Sequence, residues 1–247
     1  MESYRTFAHI YDTLMEDAPY EDWIHFTEHF VKKYNAGKSI IDLGCGTGEI
    51  SIRFAQLGYD VTGVDLSTNM LAIANQKAQE QNVPIMWIHQ NMIELETPNQ
   101  YDIAVSYCDV INYLTDIEDV RRSFLNVHQT LKEDGLFLFD VHSEHYVNEF
   151  LANQTFAEVR DEVSYVWFCD QGEEESSVEH NLTFFIKKKE EFYERYDEYH
   201  YQRTFPISVY KKLVEESGFE LIGLHSDFST DSFHESGDRI FFVCKKR

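Results

Sequence analysis

The residues best suited to chemistry form a glycine-rich run near the start of the chain, Asp-Leu-Gly-Cys-Gly-Thr-Gly at residues 42–48. Three glycines at alternate positions let the backbone turn tightly and approach a ligand without a clash from a Cβ atom. The mostly apolar residues 39–43 are typical of a short buried strand, and Ile50, Phe54 and Leu57 follow at helical spacing. A strand, a glycine turn and a helix N-terminus together form a common site for nucleotide-like ligands.

A second candidate lies at the end of the next predicted strand, residues 60–65. Asp65 follows the first glycine by about twenty residues, where a carboxylate can accept hydrogen bonds from both ribose hydroxyls of an adenosine-type ligand. The alternative is that Asp65 caps the helix predicted to begin near Ser67, and one side chain can serve both purposes.

Residues 42–48 resemble the first motif of the class I S-adenosylmethionine-dependent methyltransferases, in which an acid precedes the first glycine by two residues. The dehydrogenase fingerprint differs because it needs two residues before its third glycine, whereas only Thr47 separates Gly46 from Gly48. The resemblance covers about residues 39–141 and the order of the last two strands. It implies an α/β fold with a doubly wound, mostly parallel, seven-stranded Rossmann-like sheet.

The resemblance also implies that S-adenosyl-L-methionine is the cofactor. Its contacts would come from the glycine run, from the ends of the second to fourth strands and from an N-terminal helix, at residues Tyr11, Asp42, Gly44, Cys45, Gly46, Gly48, Asp65, Leu66, Met70, Asn91, Met92, Cys108 and Asp109. Tyr4 and Phe7 are further candidates for the N-terminal cover, with ordinary core packing as the alternative. The family usually has an acid where this chain has Asn91, whose amide oxygen can still accept a hydrogen bond from the adenine amino group.

Residues for the methyl acceptor are expected after the fourth and fifth strands, because ligands of open α/β sheets lie beyond the carboxyl ends of the strands. His142 and His200 are the candidate catalytic residues, and a hydrogen-bonded loop histidine is the alternative for His142. Candidate acceptor contacts are Asn112, Tyr113, Tyr201 and Arg203; a turn residue and a core ring are the alternatives for the first two. No metal site is predicted, since the cysteines and histidines are scattered without ligand spacing.

The elements that position these residues change character along the chain. An aromatic stripe at Trp23, Phe26 and Phe30 predicts an amphipathic core helix over residues 20–34. Residues 155–205 instead alternate with a period of two, which predicts three antiparallel strands. We therefore expect a cofactor-binding core at residues 1–143 and 206–247 and an inserted antiparallel β lobe at 144–205. The lobe is expected to cover the acceptor, with a dimer surface or a self-contained core as alternatives.

Composition restricts the partners. The 43% hydrophobic content excludes a disordered chain, and no apolar run is long enough to span a membrane. The N-terminus lacks a signal-peptide pattern, so a cytoplasmic location is the expectation. The 44 acidic residues outnumber the 21 basic ones, a balance that disfavours nucleic acid as a partner.

Together these features predict in-line transfer of a sulfonium methyl group to a small-molecule acceptor, by a monomer or homodimer. The acidic and aromatic composition favours an amine, because cations are attracted to carboxylates and ring faces. The alternatives left open are a non-catalytic S-adenosylmethionine-binding or interaction protein and a tRNA or protein methyltransferase.

Overall fold

The computed structural model describes residues 11–12, 15–97, 99–189 and 192–247. Its helices are α1 (Tyr20–Tyr34), α2 (Glu49–Gln56), α3 (Thr68–Glu80), α4 (Ile117–Thr130) and α5 (Ile207–Glu216). Its strands are β1 (Ser39–Leu43), β2 (Asp60–Asp65), β3 (Ile85–His89), β4 (Tyr101–Ser106), β5 (Leu131–His142), β6 (Gln154–Val159), β7 (Val163–Gln171), β8 (Ser177–Lys189), β9 (Phe192–Arg203), β10 (Phe219–Ser226) and β11 (Arg239–Lys246).

Seven strands form the main sheet, in the order β10-β11-β5-β4-β1-β2-β3. Strands β1 to β5 pair in parallel, whereas β11 runs antiparallel to both β5 and β10. The predicted mostly parallel sheet with a reversed edge hairpin is confirmed. The strand order reverses between β1 and β4, so the crevice beyond their carboxyl ends is the place where such sheets bind ligands.

Alternate residues of the central strands pack into cores on opposite faces of this sheet. Ile41, Ala104 and Phe137 belong to one buried cluster, while Ile40 and Ile103 belong to the other. The aromatic stripe of α1 packs into the second cluster, as predicted, with Trp23, Phe26 and Phe30 almost fully buried. Both faces of the parallel strands are therefore covered, as such sheets require.

The inserted sheet has four strands in the order β6-β7-β8-β9, so the prediction of three was wrong. The first predicted strand is in fact a hairpin, because a turn at residues 160–162 separates β6 from β7; the Arg160 N–H donates to the Val163 carbonyl at 3.1 Å. The alternation of residue types continues across this turn, which hid it. The domain bounds at 143/144 and 205/206 stay a prediction.

The inserted sheet rests on the core through its inner face. Val163 and Phe184 of this sheet form a small apolar cluster with Tyr11 and Met70 of the core. These two core residues are predicted cofactor contacts, so the sheet covers the crevice at the carboxyl ends of the core strands. Within the described part of the chain, no helix is long and apolar enough to cross a membrane.

Candidate functional site

The glycine turn follows β1 as predicted, and all three of its glycines have positive φ. A Cβ atom on Gly44 would lie 2.4 Å from Val110 Cγ1, so this position has no room for a side chain. A Cβ atom on Gly46 would meet nothing within 4 Å. The space beside Gly46 is therefore open, so a ligand can approach the backbone there.

Asp65 lies opposite this turn, at the end of β2. Its Oδ2 accepts a hydrogen bond from the Gly46 N–H and its Oδ1 accepts one from the Ser67 N–H, both at 2.8 Å. Burial raises the pKa of Asp65 above its ordinary value, although these bonds oppose the rise. Ser67 is the residue that caps α3, since its Oγ accepts from the Met70 N–H. The Asp65 carboxylate is therefore not required for the helix cap.

The N-terminal segment is tied to the glycine turn. Asp12 accepts a hydrogen bond from Thr47 Oγ1 and pairs with Lys77 Nζ at 2.8 Å. The neighbouring Tyr11 packs with Met70 beneath the inserted sheet. This arrangement agrees with the predicted N-terminal cover; Tyr4 and Phe7 lie outside the described residues.

Four of the predicted cofactor contacts differ in how far their side chains are buried. The Asp42 carboxylate is buried and accepts a hydrogen bond from Ser51 Oγ at 2.6 Å, and burial raises its pKa to about 7. Cys45 and Met92 are also buried, the latter in the main core cluster. Leu66, by contrast, is exposed. The three buried side chains support the crevice from within, and the exposed side chain of Leu66 is free to face a ligand.

Asn91 is placed at the end of β3, where the family has an acid. Its Oδ1 accepts a hydrogen bond from the Ile93 N–H at 3.2 Å and so caps the short helix Met92–Glu94. A carbonyl oxygen has two lone pairs, so this bond leaves one for the predicted interaction with an adenine amino group.

The loop after β4 carries an acid, Asp109, with several polar partners. Cys108 and Asp109 both have positive φ, 58° and 53°. Asp109 Oδ1 accepts a hydrogen bond from Arg239 Nη2 at 2.9 Å and lies 3.4 Å from His142 Nε2. We call the group Trp23, Asp109, Asp140, His142 and Arg239 the Asp109 cluster.

The second carboxylate of the Asp109 cluster is fully buried. Asp140 Oδ1 accepts a hydrogen bond from the Asp109 N–H at 2.9 Å and lies 3.1 Å from Arg239 Nη1. Its Oδ2 accepts from Trp23 Nε1 at 2.6 Å. One guanidinium thus faces two carboxylates, and with both ionised the cluster keeps a net negative charge.

His142, the first predicted catalytic residue, lies inside this cluster. Burial lowers its pKa to about 4, against the opposing influence of Asp109 and with a further lowering by Arg239. Its imidazole is therefore neutral near pH 7. Its Nε2 faces the Asp109 carboxylate, and its Nδ1 is fully enclosed by the protein.

His200, the second predicted catalytic residue, lies on the inner face of β9. Its Nδ1 is 3.4 Å from the hydroxyl of Tyr113, and the two rings meet edge to face at 5.9 Å. Burial, followed by the proximity of His180, lowers the pKa of His200. The structure thus brings His200 together with Tyr113, one of the predicted acceptor contacts.

Asn112 has a bridging position. Its Nδ2 donates to the Arg203 carbonyl at 3.0 Å, and its Oδ1 accepts from the His142 N–H at 2.9 Å. The side chain is 1% exposed. It ties β5 to β9 through their main chains, which leaves little of its amide for an acceptor.

Tyr201 and Arg203 lie on the opposite face of β9 from His200 and Gln202, because strand residues alternate in direction. They line an outer groove of about 830 Å³ together with acidic residues of the inserted sheet such as Glu179. The structure therefore does not bring these two predicted acceptor contacts to the Asp109 cluster. The strand's polar face, rather than its aromatic face, meets the site.

A smaller cavity adjoins the Asp109 cluster. It has a volume of about 330 Å³ and is lined by His142, Tyr146, Asp227, Phe228, Asp238 and Arg239. Asp227 and Phe228 also have positive φ, 50° and 63°. The cavity lies over β5 and β11, beside the crevice of the glycine turn and on the same edge of the sheet.

Sequence reasoning missed Arg239, Gln202 and the second role of Trp23. A signal existed for Arg239, which is a lone cation at the start of the apolar strand β11, and Arg239 pairs in register with His142. Nothing in the alternation of β9 distinguishes Gln202 from its neighbours. Among the described residues, no three His, Cys, Asp or Glu side chains are grouped so as to hold a metal ion.

Comparison with known proteins agrees with this geometry. Residues 40–135 match the family model described as a methyltransferase domain. The chain is 44% identical over 246 residues, 99% of its length, to the whole of a putative methyltransferase of Geobacillus sp. (strain WCH70). It is 40% identical to a putative methyltransferase of Bacillus subtilis (strain 168), covering 98% of this chain and 97% of that one. An S-adenosylmethionine-dependent methyltransferase from Clostridium acetobutylicum superposes with a TM-score of 0.89 at 29% identity, with 98% of each chain covered.

Proposed function

The chain belongs to the class I S-adenosylmethionine-dependent methyltransferases, and we propose that it methylates the amino group of a small molecule. S-adenosylmethionine would lie across the carboxyl ends of β1, β2 and β4. The acceptor would occupy the cavity beside the Asp109 cluster.

The residues at the crevice fit the cofactor. Gly46 leaves open space beside the backbone, and Asp65 presents a carboxylate at the end of the neighbouring strand. Each carboxylate oxygen can accept more than one hydrogen bond, so the bonds to Gly46 and Ser67 leave capacity for ribose hydroxyls. Tyr11 and Met70 lie beneath the inserted sheet and would exclude water from the opposite side.

The bound cofactor supplies an electrophilic methyl group on a sulfonium. The acceptor nitrogen forms the new C–N bond as the C–S bond breaks, and the proton of the resulting ammonium passes to solvent. The protein's task is then alignment and water exclusion, which can supply roughly 7–11 kcal/mol of the barrier.

The acceptor cavity favours an amine by its charge and by its aromatic lining. Asp227 and Asp238 line it, and Asp109 lies just beyond His142, against the single cation Arg239. Tyr146 and Phe228 add ring faces that attract cations. Neutral His142 lines the cavity and adds no positive charge that would repel an amine. With a pKa of about 4 it is a poor general base near pH 7, since efficient bases have a pKa near the working pH.

The cavity also limits size. Its volume of about 330 Å³ lies at the lower end of the roughly 300–1,000 Å³ common for small-molecule sites. A compact metabolite fits it, whereas a nucleic acid would meet the surplus of negative charge. One relative, with 26% identity over 228 residues, is named a glycine/sarcosine N-methyltransferase. Its name supports the proposal that the acceptor of this chain is also an amine.

The observation that carries the proposal is the Asp65 carboxylate opposite the open space at Gly46. Calorimetric titration with S-adenosylmethionine and S-adenosylhomocysteine tests it directly. We expect micromolar binding by the wild type and a loss of about ten- to hundredfold in Asp65→Ala, from the hydrogen bonds to a charged group. Asp60→Ala, at the exposed start of the same strand, is the matched control and should bind normally.

A transfer assay with methyl-labelled cofactor then tests the acceptor class. Compact primary and secondary amines should accept the labelled methyl group. The variants Asp227→Asn and Asp238→Asn each remove one negative charge from the cavity and should raise the KM for these amines. Saturable labelling of RNA with no labelling of any amine would overturn the acceptor proposal. Failure of well-folded wild type to bind either cofactor form would overturn the cofactor site.

A further inference from the structure

A chain of hydrogen bonds crosses the inserted sheet and ends on Asp109. Trp167 Nε1 donates to His180 Nδ1 at 3.0 Å, and His180 Nε2 lies 3.0 Å from Gln202 Oε1. Gln202 Nε2 donates to Asp109 Oδ2 at 2.7 Å. The first three residues lie on β7, β8 and β9, so the chain passes over three adjacent strands before it reaches the core. His180 and Gln202 are each 5% exposed.

The direction of every bond in this chain is fixed by its two ends. The indole N–H of Trp167 can only donate, and an ionised carboxylate can only accept. His180 Nδ1 must therefore accept, which leaves the ring hydrogen on Nε2. Gln202 Oε1 must accept that hydrogen, so its amide nitrogen faces Asp109. A single arrangement of protons satisfies all four groups.

The two oxygens of Asp109 are held from different parts of the molecule. Oδ1 is held from the core by Arg239 and lies near His142. Oδ2 accepts its bond from the inserted sheet through Gln202, 93 residues away in sequence. Burial acts to raise the pKa of Asp109, but His142, Arg239 and Gln202 lower it below its ordinary value. The carboxylate is therefore stabilised jointly by both parts of the fold.

We propose that Gln202 and His180 are positioning residues, which orient the Asp109 carboxylate from the inserted sheet. The methyl-transfer site is then complete only while this sheet rests on the core. Trp167 and His180 fix the amide of Gln202, and Gln202 fixes the acid. This proposal rests on the proposed function, in which Asp109 is a predicted cofactor contact and lies just beyond His142 from the acceptor cavity.

Nuclear magnetic resonance of the full chain tests the positioning directly. In protein labelled with ¹⁵N-histidine, His180 is expected as the neutral tautomer with hydrogen on Nε2 at pH 7, with its signals assigned through His180→Asn. In protein labelled with ¹³C-aspartate, Gln202→Leu should raise the pKa of Asp109 by about 1, the size of one hydrogen bond to a charged group. Tyr199→Phe, on the outer face of the same strand, is the control and should leave that pKa unchanged.

A second variant covers the case in which Gln202→Leu fails to fold. Trp167→Phe keeps an aromatic ring and removes the indole donor, while Cys169 Sγ stays 3.4 Å from His180 Nδ1. The Nδ1 resonance should move downfield as it loses the stronger N–H hydrogen bond. Cofactor affinity gives the functional readout: Gln202→Leu should weaken S-adenosylmethionine binding about tenfold, and Tyr199→Phe should not weaken it. A merely structural role would change the melting temperature without moving the Asp109 pKa.

The outcomes separate the two proposals. If wild type binds S-adenosylmethionine but His180 carries its hydrogen on Nδ1, or the Asp109 pKa is the same in Gln202→Leu, the positioning proposal is overturned and the proposed function stands. If wild type binds no cofactor, the proposed function fails, and the positioning proposal fails with it whatever the tautomer of His180.

Discussion

The glycine turn and the Asp109 cluster lie on the same edge of the main sheet, yet they are assembled in different ways. In the turn, the contact between Gly46 and Asp65 joins residues 19 apart in sequence, on adjacent strands. In the cluster, Trp23 and Asp140 are 117 residues apart, and Arg239 and Asp109 are 130 apart. The turn is built by one β-strand–helix–β-strand unit, whereas the cluster exists only when both ends of the chain have folded.

This difference suggests a division of labour. The locally built turn is suited to a cofactor shared by the whole family, since it needs little from the rest of the chain. The cluster draws on α1, β5, β11 and the inserted sheet, so it depends on nearly the whole chain. The following predictions test whether the two regions are as separable as this comparison implies.

The largest effect is expected from Arg239→Leu. This change leaves Asp109 and Asp140 buried without their shared cation, and removal of one partner of a buried ion pair typically costs about 3–5 kcal/mol. Chemical denaturation should show a loss of that order in the free energy of unfolding. A loss below about 1 kcal/mol would mean that the cluster does not hold the fold together, and Lys33→Leu on the surface of α1 serves as the control.

His142 should make stability depend on pH. Its folded-state pKa of about 4 lies below the unfolded value near 6.5, so burial favours the neutral ring. The contribution of neutral His142 to the free energy of unfolding is therefore present above pH 6.5 and is lost as pH falls towards 4. Between these two pH values the free energy of unfolding should fall by about 3 kcal/mol.

Denaturation of wild type and His142→Gln between pH 7 and pH 4 measures this dependence. The variant should lose up to about 3 kcal/mol less than wild type over that range. Parallel curves for the two proteins would contradict a buried neutral His142.

The two glycines of the turn should respond differently to alanine. Gly44→Ala places a Cβ atom 2.4 Å from Val110 and should destabilise the fold beyond the roughly 1–2 kcal/mol of left-handed strain. Gly46→Ala meets no neighbour and should cost only that strain, but it should weaken S-adenosylmethionine binding at least tenfold. If Gly44→Ala and Gly46→Ala lost the same amount of stability and the same amount of cofactor affinity, the open space beside Gly46 would not be the cofactor site.

The smallest effect is expected on the outer face of the inserted sheet. Tyr201→Phe removes one hydrogen bond from the tyrosine hydroxyl to Ser177 Oγ, which is worth about 0.5–1.5 kcal/mol. Cofactor affinity and methyl transfer should be unchanged. A clear rise in the KM for the acceptor would instead return Tyr201 to the acceptor site, as its sequence position first indicated.

The sequence predicted the fold well because the fold follows local rules, and the predicted cofactor residues rest on the same local signals. Glycine spacing, the acid at the end of β2 and the order of strands and helices are visible in short windows. The reversed hairpin at the sheet edge is recognisable in the same way. The cluster was only partly visible: His142, Asp109 and Asp140 follow predicted strands, but their partners Arg239 and Gln202 are brought to them by tertiary packing.

The choice between the two faces of β9 shows the limit most clearly. Alternation separates Tyr201 and Arg203 from His200 and Gln202, but it does not tell which set faces the core. The aromatic set was the one predicted to contact the acceptor, whereas the structure brings the polar set to the Asp109 cluster. The reason is that the core presents a buried carboxylate at this point, which requires hydrogen-bond donors rather than rings.

The left-handed backbone at residues 108–109 and 227–228 has an energetic consequence for the site. Of these four residues only the two aspartates tolerate such a conformation readily, while Cys108 and Phe228 have no local reason to adopt it. Each such residue costs on the order of 1–2 kcal/mol relative to a relaxed backbone. The rest of the fold supplies that energy. It thereby holds the cavity wall at residues 227–228, and the loop that carries Asp109, in shapes that these loops would not keep on their own. These loops therefore lower the free energy of unfolding in return for a fixed site geometry. Mutations that relax their backbone should raise the melting temperature and lower the methyl-transfer activity.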